Sequence, residues 1–213
     1  LENARERAAY IKHRTLDELD KYLLEFEGNF ERRGGRLVWA QNAREAVREI
    51  VKILKKHDVS RVVKTKSMTT EEIALNDVLH KQKLEVVETD LGEYIVQVAG
   101  EDPYHIVTPA MHKSKEDIAR LFHEKFSLAD DSSPGQVTAF LREKLREHFL
   151  QADAAITGAN FIVADTGAVA LTENEGNGMM SFSFPRVHIA VVGIEKVIPS
   201  LKDLDLFWPL LAT

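Results

Sequence analysis

The stretch Arg61-Val62-Val63-Lys64-Thr65-Lys66-Ser67-Met68-Thr69-Thr70-Glu71-Glu72-Ile73 decides the fold. Arg61-Val62-Val63 begins a strand of β-branched residues, and Thr69 with Glu72 forms a capping pair that opens a helix to about Lys81. A strand that feeds directly into a capped helix is the first half of a βαβ unit, which predicts a parallel sheet.

The same alternation extends outward. Upstream, Asn42 with Glu45 caps a helix whose stripe is Ala43, Ala46, Val47, Ile50, Val51 and Leu54, ending near His57-Asp58. Gly34-Gly35 turns into a short strand, Leu37–Ala40, and residues 1–35 form a helical N-terminal segment ending near Gly28. Downstream, Leu84–Thr89 and Tyr94–Ala99 read as strands flanking an Asp90-Leu91-Gly92 turn, and His105–Pro109 as a buried strand. Ser114 with Asp117 and Ser133-Pro134 with Gln136 open two further helices. Beyond residue 152 lysine becomes scarce, and three short strands are expected at 161–164, 168–172 and 188–192, interrupted by a Gly/Asn-rich loop. The expected fold is α/β, a Rossmann-like α/β/α sandwich with a mostly parallel sheet. With no linker or repeat in view, one domain over 1–213 is expected.

Composition narrows the function. The 213 residues are 44% hydrophobic and 29% charged, enough apolar material for a packed core and too little bias for disorder. The net charge of −6 argues against a nucleic-acid binder held by bulk electrostatics. There is no apolar run of membrane-spanning length and no signal-peptide core, so a cytoplasmic protein is expected. The chain has no cysteine, which removes disulfides, cysteine nucleophiles and cysteine-ligated clusters. The chain opens at Leu1, as expected of a trimmed fragment. GxGxxG, GxxxxGK[ST] and GxSxG are all missing, and the eight histidines show no metal spacing.

Three places can carry chemistry. Lys64, Lys66, Ser67 and Thr69 lie where a buried strand meets a helix N-terminus, a position that favours an anion such as a small carboxylate or phosphorylated ligand. Asp165-Thr166-Gly167 and Asn174-Glu175-Gly176-Asn177-Gly178 combine glycine freedom with carboxylates and amides that can orient a small substrate. Arg186 can clamp an anion, His188 can act as a general acid or base, and Glu195-Lys196 follows. Asp90 and Glu93 bracket a turn at another strand end. The residue types alone leave capping, turn formation and surface charge as equally good accounts of several of these.

Five motifs in order sharpen the picture: 64–73, 88–94, Gly158-Ala159-Asn160-Phe161 through Gly167, 174–177, and Pro185-Arg186-Val187-His188-Ile189 to Lys196. Together they resemble the lactate-utilisation (LUD) domain family, specifically the LUD domain of its iron–sulfur subunit. The resemblance implies the ribose-5-phosphate isomerase and CoA-transferase type of fold, and work with other subunits in a complex oxidising L-lactate to pyruvate. Asn160 and Lys196 lie within these motifs and join the ligand-binding candidates, while Glu175 and His188 are the catalytic candidates. Iron–sulfur clusters are expected in a C-terminal region outside this chain, so the chain itself should hold no cofactor and be silent alone. A basic residue is expected after Asn177-Gly178, where this chain has Met179. An enzyme acting on a sugar phosphate or acyl thioester, with Glu175 as base or nucleophile, and a structural assembly module are the alternatives.

Overall fold

The computed structural model describes residues 1–105, 108–129, 131–173 and 175–211. It opens with helices α1 (Glu2–Asp17), α2 (Leu19–Arg32) and α3 (Ala43–Lys56). Strand β1 (Arg61–Lys64), helices α4 (Met68–Glu72) and α5 (Leu75–Lys81), strand β2 (Glu85–Glu88) and helix α6 (Leu91–Ala99) follow. Next come α7 (Lys115–Phe126), α8 (Pro134–Gln151), β3 (Ala154–Thr157), β4 (Phe161–Val163) and β5 (Ala168–Ala170). The chain closes with α9 (Asn177–Ser183), β6 (Val187–Ala190), β7 (Val197–Ile198) and α10 (Leu204–Leu211). These elements form two compact units that interleave along the sequence: Leu1–Gln41 with Ala159–Thr172 and Val191–Thr213, and Asn42–Gly158 with Glu173–Ala190.

The larger unit is built on a parallel sheet in the order β2-β1-β3-β6. Charges mark its register, with Arg61 opposite Glu85 and Lys64 opposite Glu88, and two valines between each pair of ends. Strand alternation puts Val63, Val87 and Ala155 on one face. There Val87 packs with Tyr94, Ile95, Phe122, Val137 and Leu141, while Val63 and Ala155 meet Phe149. On the other face α5 lies against β2 and α3 against α5, burying Leu54, Leu75 and Leu79. Each such side chain contributes about 1.5–3 kcal/mol through removal from water. Helices on both faces make this the Rossmann-like α/β/α sandwich that the alternation of strands and capped helices implies. The free edge of β2 is closed by one side chain: Gln97 donates to the Val86 carbonyl at 2.9 Å and accepts from the Glu88 N–H at 3.0 Å.

The smaller unit holds a three-stranded sheet, β5-β4-β7, antiparallel between β4 and β5 and parallel between β4 and β7. Phe161, Val163, Ala170 and Ile198 pack with Ala8 of α1 and Phe207 of α10. Ile162 and Val197 pack with Tyr22 and Phe26 of α2. The β4–β5 turn requires Gly167, whose φ is +66° and where a Cβ would stand 2.4 Å from the Phe30 backbone nitrogen.

Several local expectations are corrected. The segment Tyr94–Ala99 is helix α6, and Asp90-Leu91-Gly92 is its cap and first turn, with Asp90 accepting from the Glu93 N–H at 3.2 Å. Leu91, Tyr94, Ile95 and Val98 share one apolar cluster, a helical period that short-range alternation had masked. Helix α4 is capped by Ser67, and Thr69 lies inside it; Ala74, at φ +49°, breaks it from α5. Leu37–Ala40 forms no strand: Leu37 joins the α2 cluster while Val38 and Trp39 stay exposed. Residues 106–107 of the expected 105–109 strand lie outside the described residues, and Thr108–Pro109 is irregular. Residues 1–35 carry two helices, with Gly28 inside the second.

Candidate functional site

Polar groups are buried at one edge of the four-stranded sheet, the edge where β1, β2 and β3 end. Lys64, Thr65, Ser67, Thr70, Glu88, Thr89, Glu93, Thr157 and Ser181 are all under 9% exposed. Lys64 and Glu88 close their paired strands with an ion pair at 3.0 Å. The ammonium also lies 3.3 Å from the Thr70 hydroxyl, and Asn76 donates to Glu88 Oε1 at 2.7 Å. Behind them a second network runs through Thr89, whose hydroxyl donates to the Lys64 carbonyl at 3.1 Å and lies 3.3 Å from Ser181 Oγ. Asn177 donates to Thr89 Oγ1 at 3.5 Å, and Ser181 donates to the Asn177 carbonyl at 2.7 Å. Gly158 permits this crowding, since a Cβ there would come within 2.7 Å of Ser67 Oγ.

A cavity of about 540 Å³ opens beside the ion pair. Lys64, Thr70, Glu71, Asn76, Glu88, Glu93 and Gln97 line its interior, and His80, Asp102, Tyr104 and His105 its exposed rim. Its size is that of a small-molecule site. Oxygen atoms of Glu71, Asn76, Glu88 and Glu93 are buried there without a hydrogen-bond partner. Burial pushes the Glu93 carboxyl up to about 7, and the nearby Glu88 and Glu71 charges push the same way against Lys64 and Lys66. Glu71 is raised by burial as well, with Lys64 opposing. A carboxyl that titrates near neutrality inside a cavity can take up or release a proton at physiological pH.

The anticipated residues distribute unevenly. Lys64 and Glu93 line the cavity, whereas Lys66, Ser67, Asp90, Glu175 and Asn177 lie at the same strand edge outside its lining. Glu175 accepts from the Leu91 N–H at 3.3 Å, which brings the loop after β5 against the start of the helix that follows β2, but neither Lys66 nor Glu175 lines the cavity. Burial and Asp90 raise the Glu175 carboxyl above its ordinary range. Lys64 differs from the expected bare cation, because Glu88 neutralises it. Arg186 does not belong to this edge: it precedes β6, at the opposite end of a parallel sheet, and donates to the His57 carbonyl at 3.1 Å. His188 sits mid-strand opposite Ala155, its Nε2 2.8 Å from Thr157 Oγ1 and its ring stacked on Phe182. That packing lowers its pKa. Asn160, Asp165 and Lys196 belong to the smaller unit. There Asn160 accepts from Thr172, Asp165 accepts from the Leu201 N–H at 3.0 Å, and Lys196 pairs with Glu195. Asn174 lies outside the described residues.

Glu88, Glu71, Asn76 and Gln97 are the residues that sequence reasoning missed. A signal for Glu88 was present: Arg-Val-Val-Lys at 61–64 and Glu-Val-Val-Glu at 85–88 have complementary ends and equal lengths. In a parallel pair such ends meet in register, so Glu88 had to face Lys64.

In a parallel α/β sandwich the buried charges and the small cavity at these strand ends lie at the edge where open sheets of this class take their ligands. The comparisons give its kind: the family model of the LUD domain matches residues 23–212, and the chain belongs to the LUD domain family. It is 44% identical over 210 residues to "Lactate utilization protein B" of Oceanobacillus iheyensis and 43% identical to the protein of that name from Bacillus cytotoxicus. It is 42% identical over 211 residues to "Uncharacterized electron transport protein YkgF" of Escherichia coli. Each alignment covers 99% of this chain and 44% of the relative, so the chain spans less than half the length of these proteins. No solved structure matches it significantly. Among the described residues no helix is long and apolar enough to cross a membrane.

Proposed function

We propose that this chain is the LUD domain of a lactate-utilisation protein, a cytoplasmic subunit of a complex that oxidises L-lactate to pyruvate. The observation that carries the reading is the agreement of family and geometry: buried polar groups converge at the C-terminal strand edge of a domain whose relatives are named for lactate utilisation. In this reading a small organic acid docks near Lys66, Ser67 and Asn177, and partner subunits contact the domain.

Lactate oxidation releases two electrons and needs an acceptor. This chain has no cysteine, so it provides no thiolate ligands for an iron–sulfur cluster. The clusters belong, in this proposal, to the part of the full-length protein beyond these 213 residues. Two titrations test it on the purified chain. L-lactate or pyruvate should bind with a measurable heat, and L-lactate with an artificial electron acceptor should give no turnover. Absence of binding by both acids would remove the small-acid role, and clear turnover would contradict the assignment of electron transfer elsewhere.

A further inference from the structure

The cavity beside Lys64 is walled by more hydrogen-bond acceptors than this chain satisfies. Glu71 Oε1, Asn76 Oδ1, Glu88 Oε2 and Glu93 Oε1 are buried without partners, and their residues all line the cavity. Glu88 and Glu93 are themselves only 3% and 5% exposed. A carboxylate or amide oxygen shut away from water without a donor is unfavourable, so such a set favours whatever supplies donors, a proton on one carboxyl or a ligand that brings several. The lysine of the wall, Lys64, is already engaged by Glu88 and Thr70. The groups facing Glu93 are Glu71 from α4, Glu88 from β2, Lys64 from β1 and Lys66 beyond it, and Asp77, Glu101 and Asp102 add negative charge around the opening. Glu101 is held by His112 and Lys113. Tyr104, 68% exposed, stands at the rim, where an aromatic face attracts a cation.

We propose that this cavity binds a small organic cation, an ammonium or guanidinium group, whose N–H donors are received by Glu93, Glu71, the free oxygen of Glu88 and the amide oxygen of Asn76. An N–H cation meets two demands at once, since it offers several donors and carries the charge that an acidic wall favours. Among the described residues no group of three or more His, Asp or Glu side chains is spaced to hold a metal ion, which favours the larger, directional organic cation. The proposal is independent of the organic-acid reading, which uses the neighbouring Ser67 and Asn177 side of the strand edge.

Calorimetric titration of the purified chain with n-propylammonium and with methylguanidinium, at about pH 8 where Glu93 is ionised, tests this. One of them should bind at a single site, and Glu93→Gln should weaken it at least about tenfold, the loss of one charge-assisted bond. Glu71→Gln serves as the second variant, and thermal melts of both confirm that they fold. The same titration at about pH 5.5 should show weaker binding, because Glu93 is then protonated. Failure of both cations to bind, or equal binding by wild type and both variants, overturns the proposal. L-lactate in a parallel cell separates the two readings: an acid that binds where neither cation does refutes the cation site and leaves the acid site standing.

Discussion

Strands β1 and β2 carry an oppositely charged pair at each end, and the two pairs live in different solvents. Arg61 and Glu85 meet at 3.3 Å with side chains 50% and 51% exposed. Lys64 and Glu88 meet at 3.0 Å with side chains 2% and 4% exposed. The outer pair is a surface ion pair of small net worth, screened by water and salt. The inner pair has lost its hydration, and apolar residues of similar volume would stabilise the fold at least as well. Charge at the outer edge therefore helps set register, while charge at the inner edge is better accounted for by the cavity it borders.

The largest test breaks the inner pair. Lys64→Ala leaves Glu88 uncompensated beside Glu71 and Glu93, and should cost about 3–5 kcal/mol in urea denaturation. Replacing both partners by apolar residues, Lys64→Met with Glu88→Leu, should recover most of that loss. A single-variant loss under about 1 kcal/mol would show that the buried pair behaves like a surface one, and the contrast between the edges would fail.

That contrast was only half legible in the sequence. The strand Arg61–Lys64, the helix capped by Asn42 and the capping boxes at Ser114 and Ser133 could be read directly, because caps and β-branched runs are local signals. The central strand β3, Ala154-Ala155-Ile156-Thr157, went unread: alanine has little strand preference, and the strand is defined by burial on both faces. Helix α9 begins at Asn177-Gly178, poor helix formers held by tertiary packing, and α10 contains Pro209. At the site, Lys64 and Glu93 were found through position, but their partners lie on other elements. Which carboxylate neutralises which lysine depends on strand pairing, and no local window contains that. Arg186 was misplaced for a related reason, since a residue before a parallel strand lies at the opposite edge from one after it.

The next test concerns the unpaired carboxyl. An ordinary Glu carboxyl titrates at 4.5, whereas Glu93 in the fold titrates at about 7. Between those values the folded chain keeps a proton that the unfolded chain has released, so stability falls as pH rises across this window and levels off on either side. Glu71, also raised, adds to the same slope. Glu93→Gln should remove much of it. The variant should be more stable than wild type by about 1–3 kcal/mol near pH 8 and nearly equal to it near pH 4.5. Denaturation midpoints at the two pH values read this directly, and an unchanged or lower stability near pH 8 would mean that the carboxylate is solvated.

At the outer edge the sign reverses. Asp153 accepts from the Ser60 N–H and hydroxyl, both at 2.9 Å, and from the Arg61 N–H at 3.0 Å, and these bonds hold its carboxyl below the usual range. Its contribution is present above the ordinary Asp pKa and is lost as pH falls through the lowered folded value. Asp153→Ala should cost about 1–2 kcal/mol at neutral pH, the lower figure being favoured because the site is largely hydrated. The difference from wild type should shrink on acidification. A loss that persists in acid would assign the role of Asp153 to packing.

The smallest effect is expected at the exposed Arg61–Glu85 pair. Arg61 pairs with Glu85 at 3.3 Å and donates to Gln151 Oε1 at 3.0 Å, but half of its side chain is in water. Coulomb attraction at that exposure is weakened by the high dielectric, and ordering two long side chains opposes what remains. Arg61→Ala should therefore cost no more than about 0.5–1 kcal/mol. Part of that should vanish in about 1 M salt, where the screening length falls to about 3 Å. The register does not depend on this pair alone, because Val62 and Val63 remain opposite Val86 and Val87, and the Gln97 amide still closes the strand edge. Measured beside Lys64→Ala under identical conditions, the two variants should differ several-fold. Equal losses, or an Arg61→Ala loss insensitive to salt, would mean that strand pairing at the outer edge rests on a desolvated contact, and the division of labour between the two edges would have to be withdrawn.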